Sequence, residues 1–588
     1  MSTESATWNL LNAVRGESAG ASAVESLVVP LALLLALRWA DEYDSEHAAI
    51  AEFNGEEPRA ILPPTLSWST WRENPHPFSS QEVSTLWGGI RSVLGLSPDP
   101  RSTHCDVRLP TGKLLAATID WADQFPLDTP IARRQAGEAF TELVTRAMDL
   151  AQFGGELVTP RAMGQMMVAL AAPQPGERIY DPCFGMGGLL VEAAQTLWWR
   201  GRDISPGEWT LAQSVPVFGV ERQAALHLVA FVRLLLAGVR PALELGDALE
   251  REAAGRHHDQ GFDCVVVDPP WGSKLGGDQL YEFPIQGRVS ESLFLQHAVR
   301  SLRPGGRAVV AVPPTLLERS SDYELRQWLL VNYRLELVIR LPASKTGPAI
   351  KRCLLVVRCG PPSDTVRFVD IETLPELEQD SRSLANALVA GENVAPHKVQ
   401  SVPVQDLLKA DARLSPPQTL SPAIRKLLQE CRQRTEVLPL GEVAEIIASR
   451  HIPAAIVSDH GNDGAIPLIR ASDLRDTTGE ARPAFIPESE IAKIPQRQLV
   501  VPGDLLVATV GSIGSSLLIG NRTAPSTEAG SSRPQIVAVA HSSVVIVRPK
   551  RLLDVRFLQA VLRSEMLQAQ LRAQAGRLGS TFRIVTTE

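Results

Sequence analysis

Short hydrophobic runs separated by helix-like segments dominate the middle of the chain. From Pro175 onward the runs have the length of strands, and they lie at 178–180, 217–220, 262–267, 307–312, 335–341 and 353–358. Buried strands that alternate with helices are typical of a parallel sheet covered on both faces. The pattern therefore predicts an α/β fold with a doubly wound, mostly parallel sheet.

The region before this sheet has a different pattern. Residues 1–145 read as a helical domain, with an apolar segment at 24–39 and further helical periodicity over 136–152. A stretch rich in Pro and Ser at 54–80 is typical of a loop. We expect a helical N-terminal domain followed by a sheet domain over 146–360.

The region after the sheet changes again. Residues 361–436 are mixed and acidic, which favours a connector that includes the end of the sheet domain. Residues 437–588 contain β-like runs between Gly, Ser and Thr turns, at 499–501, 505–510 and 543–547. A helical pattern over 555–574 closes the chain. This predicts a separate C-terminal α+β domain.

Composition narrows the class of protein. The 588 residues are 44% hydrophobic and 21% charged, as in folded globular chains. The longest apolar run, 27–37, contains Pro30 and is far shorter than the ~20 residues that cross a bilayer. No secretion signal opens the chain, so a cytoplasmic location without a membrane partner is expected. The six cysteines are scattered without ligand spacing, so no metal site is predicted.

Charge is unevenly distributed along the chain. The formal net charge is -8, but residues 437–588 carry 16 Lys or Arg against 14 Asp or Glu, a net +2. The rest of the chain therefore carries -10. This favours the C-terminal region as the part that faces a nucleic acid.

A glycine-rich motif, DPCFGMGG, follows the first predicted strand at residues 181–188. Glycines at 185, 187 and 188 allow a tight turn, and the free N–H groups of the helix that follows can meet a ligand. The motif lacks both the GxGxxG order of dinucleotide sites and the Lys of a phosphate loop. It predicts a cradle for another small molecule.

Two acidic residues follow the next strands. Glu221 ends the second predicted strand, where a carboxylate can accept hydrogen bonds from ribose hydroxyls. Asp247 lies in a Gly-Asp-Ala turn at the next strand tip and could accept from an adenine amino group. Each observation is weak alone, because exposed acids at strand ends are usually only solvated.

The motif that decides the chemistry is DPPW at residues 268–271, directly after the strand at 262–267. Prolines fix the backbone, so Asp268 and the Pro269 carbonyl can together accept both hydrogens of an amino group. Trp271 offers a ring on which a planar base can stack. The sequence predicts a site that holds the amino group of a nucleobase.

The two motifs resemble motifs I and IV of S-adenosylmethionine-dependent amino-methyltransferases of DNA. Their order, with the recognition region last, resembles the γ arrangement of that family. From about residue 8 to about 420 the chain resembles the modification subunit of type I restriction-modification systems. The additional stretches that carry this likeness are LNAVRG at 11–16, GELVTP at 155–160, ESLFLQH at 291–297 and LRPGGR at 302–307.

The C-terminal region resembles one target-recognition domain of the specificity subunit of the same systems. The stretches that carry this likeness are LGEV at 440–443, IPLIRASD at 466–473, VPGDLLV at 501–507 and GSIG at 511–514. The resemblance implies a Rossmann-like methyltransferase domain and a reader of DNA sequence in one polypeptide.

The resemblance implies S-adenosylmethionine as cofactor and methylation of adenine N6 in double-stranded DNA, with the base flipped out of the helix. It assigns catalysis to Asp268, Pro269, Pro270 and Trp271. It assigns cofactor binding to Thr159, Pro160, Asp181, Pro182, Phe184, Gly185, Gly187, Gly188, Glu221 and Asp247. Separate restriction or phage-defence subunits are the implied partners, and one recognition domain fits either a monomer or a homodimer.

Two departures from the family pattern keep alternatives open. Phe184 and Met186 replace a small and a hydroxylated residue of the usual cradle, which keeps a DNA-binding scaffold with a degenerate cofactor site as one alternative. Asp268 stands where the type I subunit usually has Asn. The tetrapeptide also suits cytosine N4, RNA or a protein glutamine. We find no nuclease motif in the N-terminal helical region.

Overall fold

The computed structural model describes residues 7, 10–11, 24–57, 60–97, 107, 109–150, 159–200, 217–273, 281–287, 289–342, 352–371, 374–392, 398–409, 411–414, 440–450, 452–453, 456–458, 465–474, 484–509, 514–519, 537–550, 554–564 and 567–568. The chain divides into two compact units, residues 1–415 and 416–588. The boundary lies inside the stretch that the sequence predicted to be a connector.

The first unit begins with helices, as predicted. A π-helical turn, Val24–Val28, leads into α1 (Val29–Asn54), α2 (Trp68–Glu73), α3 (Ser80–Val93), α4 (Gly112–Asp123), α5 (Pro130–Leu150) and α6 (Arg161–Ala171). The predicted loop at 54–80 is wrong in part, because it contains a 3-10 turn, Pro64–Leu66, and α2. Ser67 caps α2 by accepting a hydrogen bond from the Thr70 N–H at 3.2 Å, and Trp68 and Trp71 are buried.

A nine-stranded sheet follows, in the order β3-β2-β1-β4-β5-β7-β6-β8-β9. Its strands are β1 (Ile179–Asp181), β2 (Val217–Glu221), β3 (Pro241–Leu245), β4 (Phe262–Val267), β5 (Leu302–Val312), β6 (Arg334–Arg340), β7 (Cys353–Arg358), β8 (Thr365–Asp370) and β9 (Lys398–Pro403). Strands β7 and β9 run antiparallel to their neighbours, and the other pairs are parallel. The predicted mostly parallel sheet is confirmed.

Helices connect the strands of this sheet. They are α7 (Gly188–Arg200), α8 (Ala224–Leu236), α9 (Arg251–Gln260), α10 (Ser290–Arg300), α11 (Pro314–Glu318), α12 (Tyr323–Asn332), α13 (Leu374–Ala390) and α14 (Val404–Lys409). The crossover connections are those of a doubly wound α/β fold. The last two strands and helices lie in residues 361–409, so the acidic stretch after β7 extends the sheet.

The core of the first unit is continuous. One hydrophobic cluster contains Leu34 of α1 and Trp87 of α3 together with Ala194 of α7 and Phe231 of α8. The N-terminal helices therefore pack on one face of the sheet domain and share its core. A second cluster on the opposite face includes Leu295 of α10. Within the described part of the chain, no helix combines the length and the hydropathy needed to cross a membrane.

The second unit is an α+β structure, as predicted. Its elements are α15 (Leu440–Val443), β10 (Ala444–Ala448), β11 (Ile466–Ile469), β12 (Ala484–Ile486), α16 (Glu488–Ile491), β13 (Leu499–Val500), β14 (Leu505–Ala508), β15 (Ser516–Leu518), β16 (Ala538–Ala540), β17 (Val544–Pro549) and α17 (Val555–Arg563). One sheet, β10-β17-β14-β15, is antiparallel, and the other, β12-β11-β16-β13, is mixed. Residues 511–513 and most of 564–574, for which motifs or helix were predicted, lie outside the described residues.

Candidate active site

Four predicted site residues meet at the carboxyl edge of the sheet. Asp181 ends β1, Glu221 ends β2, Asp247 follows β3 by two residues, and Asp268 directly follows β4. These four strands are consecutive neighbours in the parallel part of the sheet. Because parallel strands end at the same edge, the acids lie along one edge of the sheet, and the crevice outside such an edge is the usual ligand position in these folds.

The glycine motif forms a tight turn between β1 and α7. Gly185 and Gly187 have φ angles of 55° and 75°, in the left-handed region that favours glycine. A Cβ at Gly187 would lie 2.9 Å from the Cβ of Ala230 on α8, so a side chain has no room there. Gly188 is exposed, and a Cβ built on it meets nothing within 4 Å. The turn is therefore closed toward α8 and open at the start of α7.

Buried polar groups hold this turn from below. The Gly187 N–H donates to the Phe184 carbonyl at 2.7 Å, and Arg233 of α8 donates to the Met186 carbonyl. Burial lowers the pKa of Arg233 to about 10. The Asp181 carboxylate accepts from the Cys183 N–H at 3.1 Å, and burial raises the pKa of Asp181 well above its ordinary value.

The Phe184 side chain does not enter the crevice. Its ring is buried, with only 5% of its surface exposed, and packs over β2, where a Cβ at Gly219 would come within 2.5 Å of it. The ring centre also lies 5.9 Å from that of His227 on α8. Phe184 thus contributes backbone to the cradle, and its bulk fills space that Gly219 leaves empty.

Glu221 and Asp247 brace backbone at the strand tips. The Glu221 carboxylate accepts from the Gly185 N–H at 3.0 Å and from the Gln223 N–H at 2.8 Å. Burial raises the pKa of Glu221. Asp247 accepts from the Leu249 N–H at 2.9 Å. Each carboxylate oxygen can accept a second hydrogen bond, so the predicted contacts to a cofactor remain compatible with these bonds.

The DPPW turn is held by the first residues of α10. The Ser290 hydroxyl donates to the Pro270 carbonyl at 2.7 Å. The buried Glu291 carboxylate accepts from the Gly272 N–H at 2.9 Å. Sequence reasoning named the ESLFLQH stretch only as a likeness and missed Ser290. The available signal was a polar Ser-Glu pair at the start of a helix that continues with the apolar run at 293–295.

Asp268 lies among charges of both signs. Burial raises its pKa, while the Arg352 guanidinium and a hydrogen bond with the Thr159 side chain lower it. Asp181 lies close enough for the two carboxylates to repel. Thr159 therefore contacts the predicted catalytic acid, although the sequence assigned it to cofactor binding. Pro160 precedes α6 as its cap residue, and Pro182 is buried.

Trp271 is half-buried beside Asp268. Its indole Nε1 is buried and has no hydrogen-bond partner among the described residues. The guanidinium carbon of Arg352 lies 5.2 Å from its ring centre, a cation–π distance. Arg352 was not predicted, because it lies far along the chain, at the start of β7.

The residues present fit S-adenosylmethionine. The open side of Gly188, the acids at the tips of β2 and β3 and the donor groups at the start of α7 form a cradle without a phosphate-binding lysine. In the described part of the chain, no group of His, Cys, Asp or Glu side chains could hold a metal ion.

Part of the chain resembles known proteins. Residues 135–393 match the family model described as N-6 DNA Methylase. This confirms, for that region, the adenine methylase family predicted from the two motifs, a family that uses S-adenosylmethionine. The matched region contains every predicted catalytic and cofactor residue.

A curated protein that is similar to this chain is the methylase subunit of the type I restriction enzyme EcoEI from Escherichia coli. It is 28% identical over 264 residues, which are 44% of this chain and 53% of the relative. The chain thus spans about half the length of this relative.

Solved structures support the fold. A chain of a type I restriction-modification system superposes with a TM-score of 0.57 at 23% identity, covering 74% of this chain and 96% of that chain. A modification subunit assigned to a type I restriction enzyme of Vibrio vulnificus YJ016 has a TM-score of 0.55 at 19% identity, with 69% and 94% covered. These likenesses confirm the predicted fold class.

Proposed function

We propose that the chain is an N6-adenine DNA methyltransferase of a type I-like restriction-modification or phage-defence system. The observation that carries this proposal is the DPPW turn at the end of β4, next to the glycine cradle at the end of β1. The match of residues 135–393 to the N-6 DNA methylase family supports adenine as the target.

S-adenosylmethionine supplies an activated methyl group when it is bound, so the protein mainly has to align donor and acceptor. We assign its amino-acid end to Asp181 and the glycine cradle, its ribose to Glu221 and its adenine to Asp247. The open side of Gly188 and the burial of Phe184 away from the crevice argue against a degenerate cofactor site.

The DPPW residues act on the target base. In the ionised form, Asp268 accepts a hydrogen bond from the exocyclic amine, and the Pro269 carbonyl accepts the other hydrogen. Such bonds favour a pyramidal nitrogen whose lone pair is free to react. Flipping the base costs a few kcal/mol, which stacking on the half-buried Trp271 ring helps to offset.

The second unit is proposed as the domain that reads the DNA sequence. Its support is the likeness of its motifs to a target-recognition domain and its slight positive charge in an acidic chain. Double-stranded DNA and separate restriction or defence subunits are the proposed partners. With one such domain, a homodimer would read a two-part site and a monomer a short one.

Sequencing of methylated bases in DNA from cells with and without this protein tests the proposal. We expect N6-methyladenine at one recurring sequence only when the protein is present. Digestion of the same DNA to nucleosides separates this product from N4-methylcytosine. A genome without new methylated bases would contradict the proposed function, and N4-methylcytosine would correct the target.

Asp268→Ala is the matching variant. We expect methyl transfer to fall by at least about a hundredfold, because the acceptor for the amine is lost. Calorimetric binding of S-adenosylmethionine should remain, since the cradle residues are untouched. Asp259→Ala, an exposed acid at the end of α9, is the control and should transfer at the parent rate. Equal rates for Asp268→Ala and the parent would refute the role of Asp268.

A further inference from the structure

Arg352 reaches the active site through the reversed direction of one strand. Strand β7 is antiparallel to β5, and Cys353 pairs with Val312, the last residue of β5. Strand β5 lies parallel to β4, whose end carries Asp268. The start of β7 therefore lies at the same carboxyl edge as the ends of β4 and β5, which brings Arg352 to the DPPW turn.

The guanidinium of Arg352 lies over the Trp271 ring of that turn. Its central carbon lies 5.2 Å from the centre of the Trp271 ring. Its charge also acts on Asp268, where it opposes the effect of burial. A planar guanidinium against an aromatic ring has a defined orientation, so the ring fixes the direction of the cation.

The other charged groups near the DPPW turn are acidic. The charge of Asp268 contributes to the raised pKa of Asp181, at the end of β1, and both carboxylates contribute to the raised pKa of the Cys183 thiol. Glu221 adds a further negative charge beside Asp181. Thr159 supplies a hydrogen bond to Asp268 but no charge. Arg352 is the cation that faces this acidic group from the β7 side.

A carboxylate at this position has a cost that an amide would not have. Burial favours its protonated form, and a protonated carboxyl can no longer accept through both oxygens. An asparagine at this position would be uncharged, so its amide oxygen could accept a hydrogen bond without a cation to keep it ionised. Asp268 thus needs a partner that keeps it ionised, and Arg352 has the charge and the position for this task.

We propose that Arg352 is a positioning residue that keeps Asp268 ionised and aimed at the amino group of the target base, while Trp271 orients the guanidinium. This inference rests on the proposed methyl transfer and extends it to a residue outside the DPPW turn. Arg352 acts through Asp268 and takes no part in the transfer itself.

The pH profile of methyl transfer tests the inference on the full chain. Loss of the cation raises the pKa of Asp268, and activity needs the ionised form, so activity is lost at a higher pH as the solution is acidified. We expect Arg352→Gln to move the acidic limb to higher pH and to lower kcat on that limb by about tenfold. Arg352→Lys keeps the charge and should keep the limb closer to that of the parent.

Arg358→Gln is the matched control. Arg358 lies at the other end of β7, where it pairs with Glu336 at 3.2 Å, and it should leave the profile unchanged. If Arg352→Gln fails to fold, Arg352→Met keeps the aliphatic stem and tests the same charge. If the acidic limb stays at the parent pH in both Arg352→Gln and Arg352→Met, the inference is overturned. Methyl transfer by the parent protein would still support the proposed function in that case.

A double-mutant cycle with Asp268→Asn gives a second readout. Capture of the flipped base is followed by 2-aminopurine fluorescence in DNA that carries the mapped target, without transfer chemistry. We expect Arg352→Gln to weaken capture of the base by about tenfold when Asp268 is present. In the Asp268→Asn background, the same change should weaken capture by less than about threefold. Equal losses in the two backgrounds would show that Arg352 acts independently of the carboxylate. If neither the parent protein nor any variant transfers a methyl group at any pH, the proposed function itself is contradicted.

Discussion

At the scale of single residues, Phe184 and Gly219 act as a complementary pair. The ring of Phe184 occupies the volume that a side chain at Gly219 would need. A cradle with an aromatic residue in its middle therefore requires glycine on the neighbouring strand. The departure from the family pattern at Phe184 is thus absorbed by the core below the crevice.

Gly219→Ala tests this pairing. The added Cβ would lie 2.5 Å from the Phe184 ring and 3.0 Å from the Asp181 carbonyl, so we expect a loss of about 1–3 kcal/mol in the free energy of unfolding. Chemical denaturation measures this loss. Gly255→Ala in α9 is the control: a Cβ there meets nothing within 4 Å, and the change should stabilise by up to about 1 kcal/mol. A neutral Gly219→Ala would show that the ring can move aside.

At the scale of elements, the first strand is joined to α9 and α10 by a buried polar network. The Tyr180 hydroxyl lies 2.9 Å from His297 Nε2 and 3.2 Å from His257 Nδ1. His258 Nε2 lies 3.2 Å from His297 Nδ1. Glu244 Oε2 lies 3.4 Å from His257 Nε2. Because α10 also holds the DPPW turn, this network ties the turn to the centre of the sheet.

The network predicts loss of stability in mild acid. Burial lowers the pKa of His258 to about 3 and that of His297 well below its ordinary value, with Arg300 adding repulsion. In the unfolded chain both groups take up protons below about pH 6.5, whereas in the folded chain they stay neutral. The two histidines therefore contribute to the free energy of unfolding in full above about pH 6.5, and this contribution decreases as the pH is lowered further.

Urea unfolding across this range measures the effect. Each histidine should cost up to about 1.4 kcal/mol per pH unit between pH 6.5 and the folded pKa. His258→Gln should reduce the slope, because one titrating group is removed. His47→Gln on α1, outside the network, is the control for the substitution itself. A slope that His258→Gln does not alter would contradict the assignment.

At the scale of the whole molecule, the second unit has its own polar anchor. Asp504 of the Pro-Gly-Asp turn is 1% exposed and forms two bonds to Arg548 of β17, at 2.7 and 2.8 Å. Its carboxylate also accepts from the Val501 N–H at 2.9 Å. This motif, first noted as a likeness to recognition domains, thus has a structural role inside its own unit.

Asp504→Ala should lower the stability of the second unit and leave the stability of the first unit unchanged. Breaking a buried ion pair costs about 3–5 kcal/mol, and the partial exposure of Arg548 places the expected loss near the lower value. Peptide-level hydrogen exchange is the measurement: protection should fall on β14 and β17 and persist on β4 and β5. Asp554→Ala, an exposed helix cap, should have a smaller effect. Equal loss in both units would mean that they unfold together.

The sequence by itself determined the elements and the chemistry of the two motifs. Periodicity located β1, β2, β4, β6 and β7 to within one residue and the second half of β5, because buried strands must be apolar. It indicated β3 only through the turn at Asp247, which was expected at a strand tip. The glycines of the cradle and the acid, prolines and aromatic ring of DPPW were legible because each residue's chemistry is local. The last strands, β8 and β9, were missed, since their apolar runs are short and lie in an acidic stretch.

Only the tertiary structure decided which distant residues meet. The reversed direction of β7 brings Arg352 to Trp271, the packing of α10 brings Ser290 to Pro270, and Thr159 turns toward Asp268. It also decided that Phe184 lies in the core and that the N-terminal helices share that core. The reason is physical: side-chain chemistry and periodicity are written along the chain, whereas proximity depends on strand order and packing, which involve every element at once.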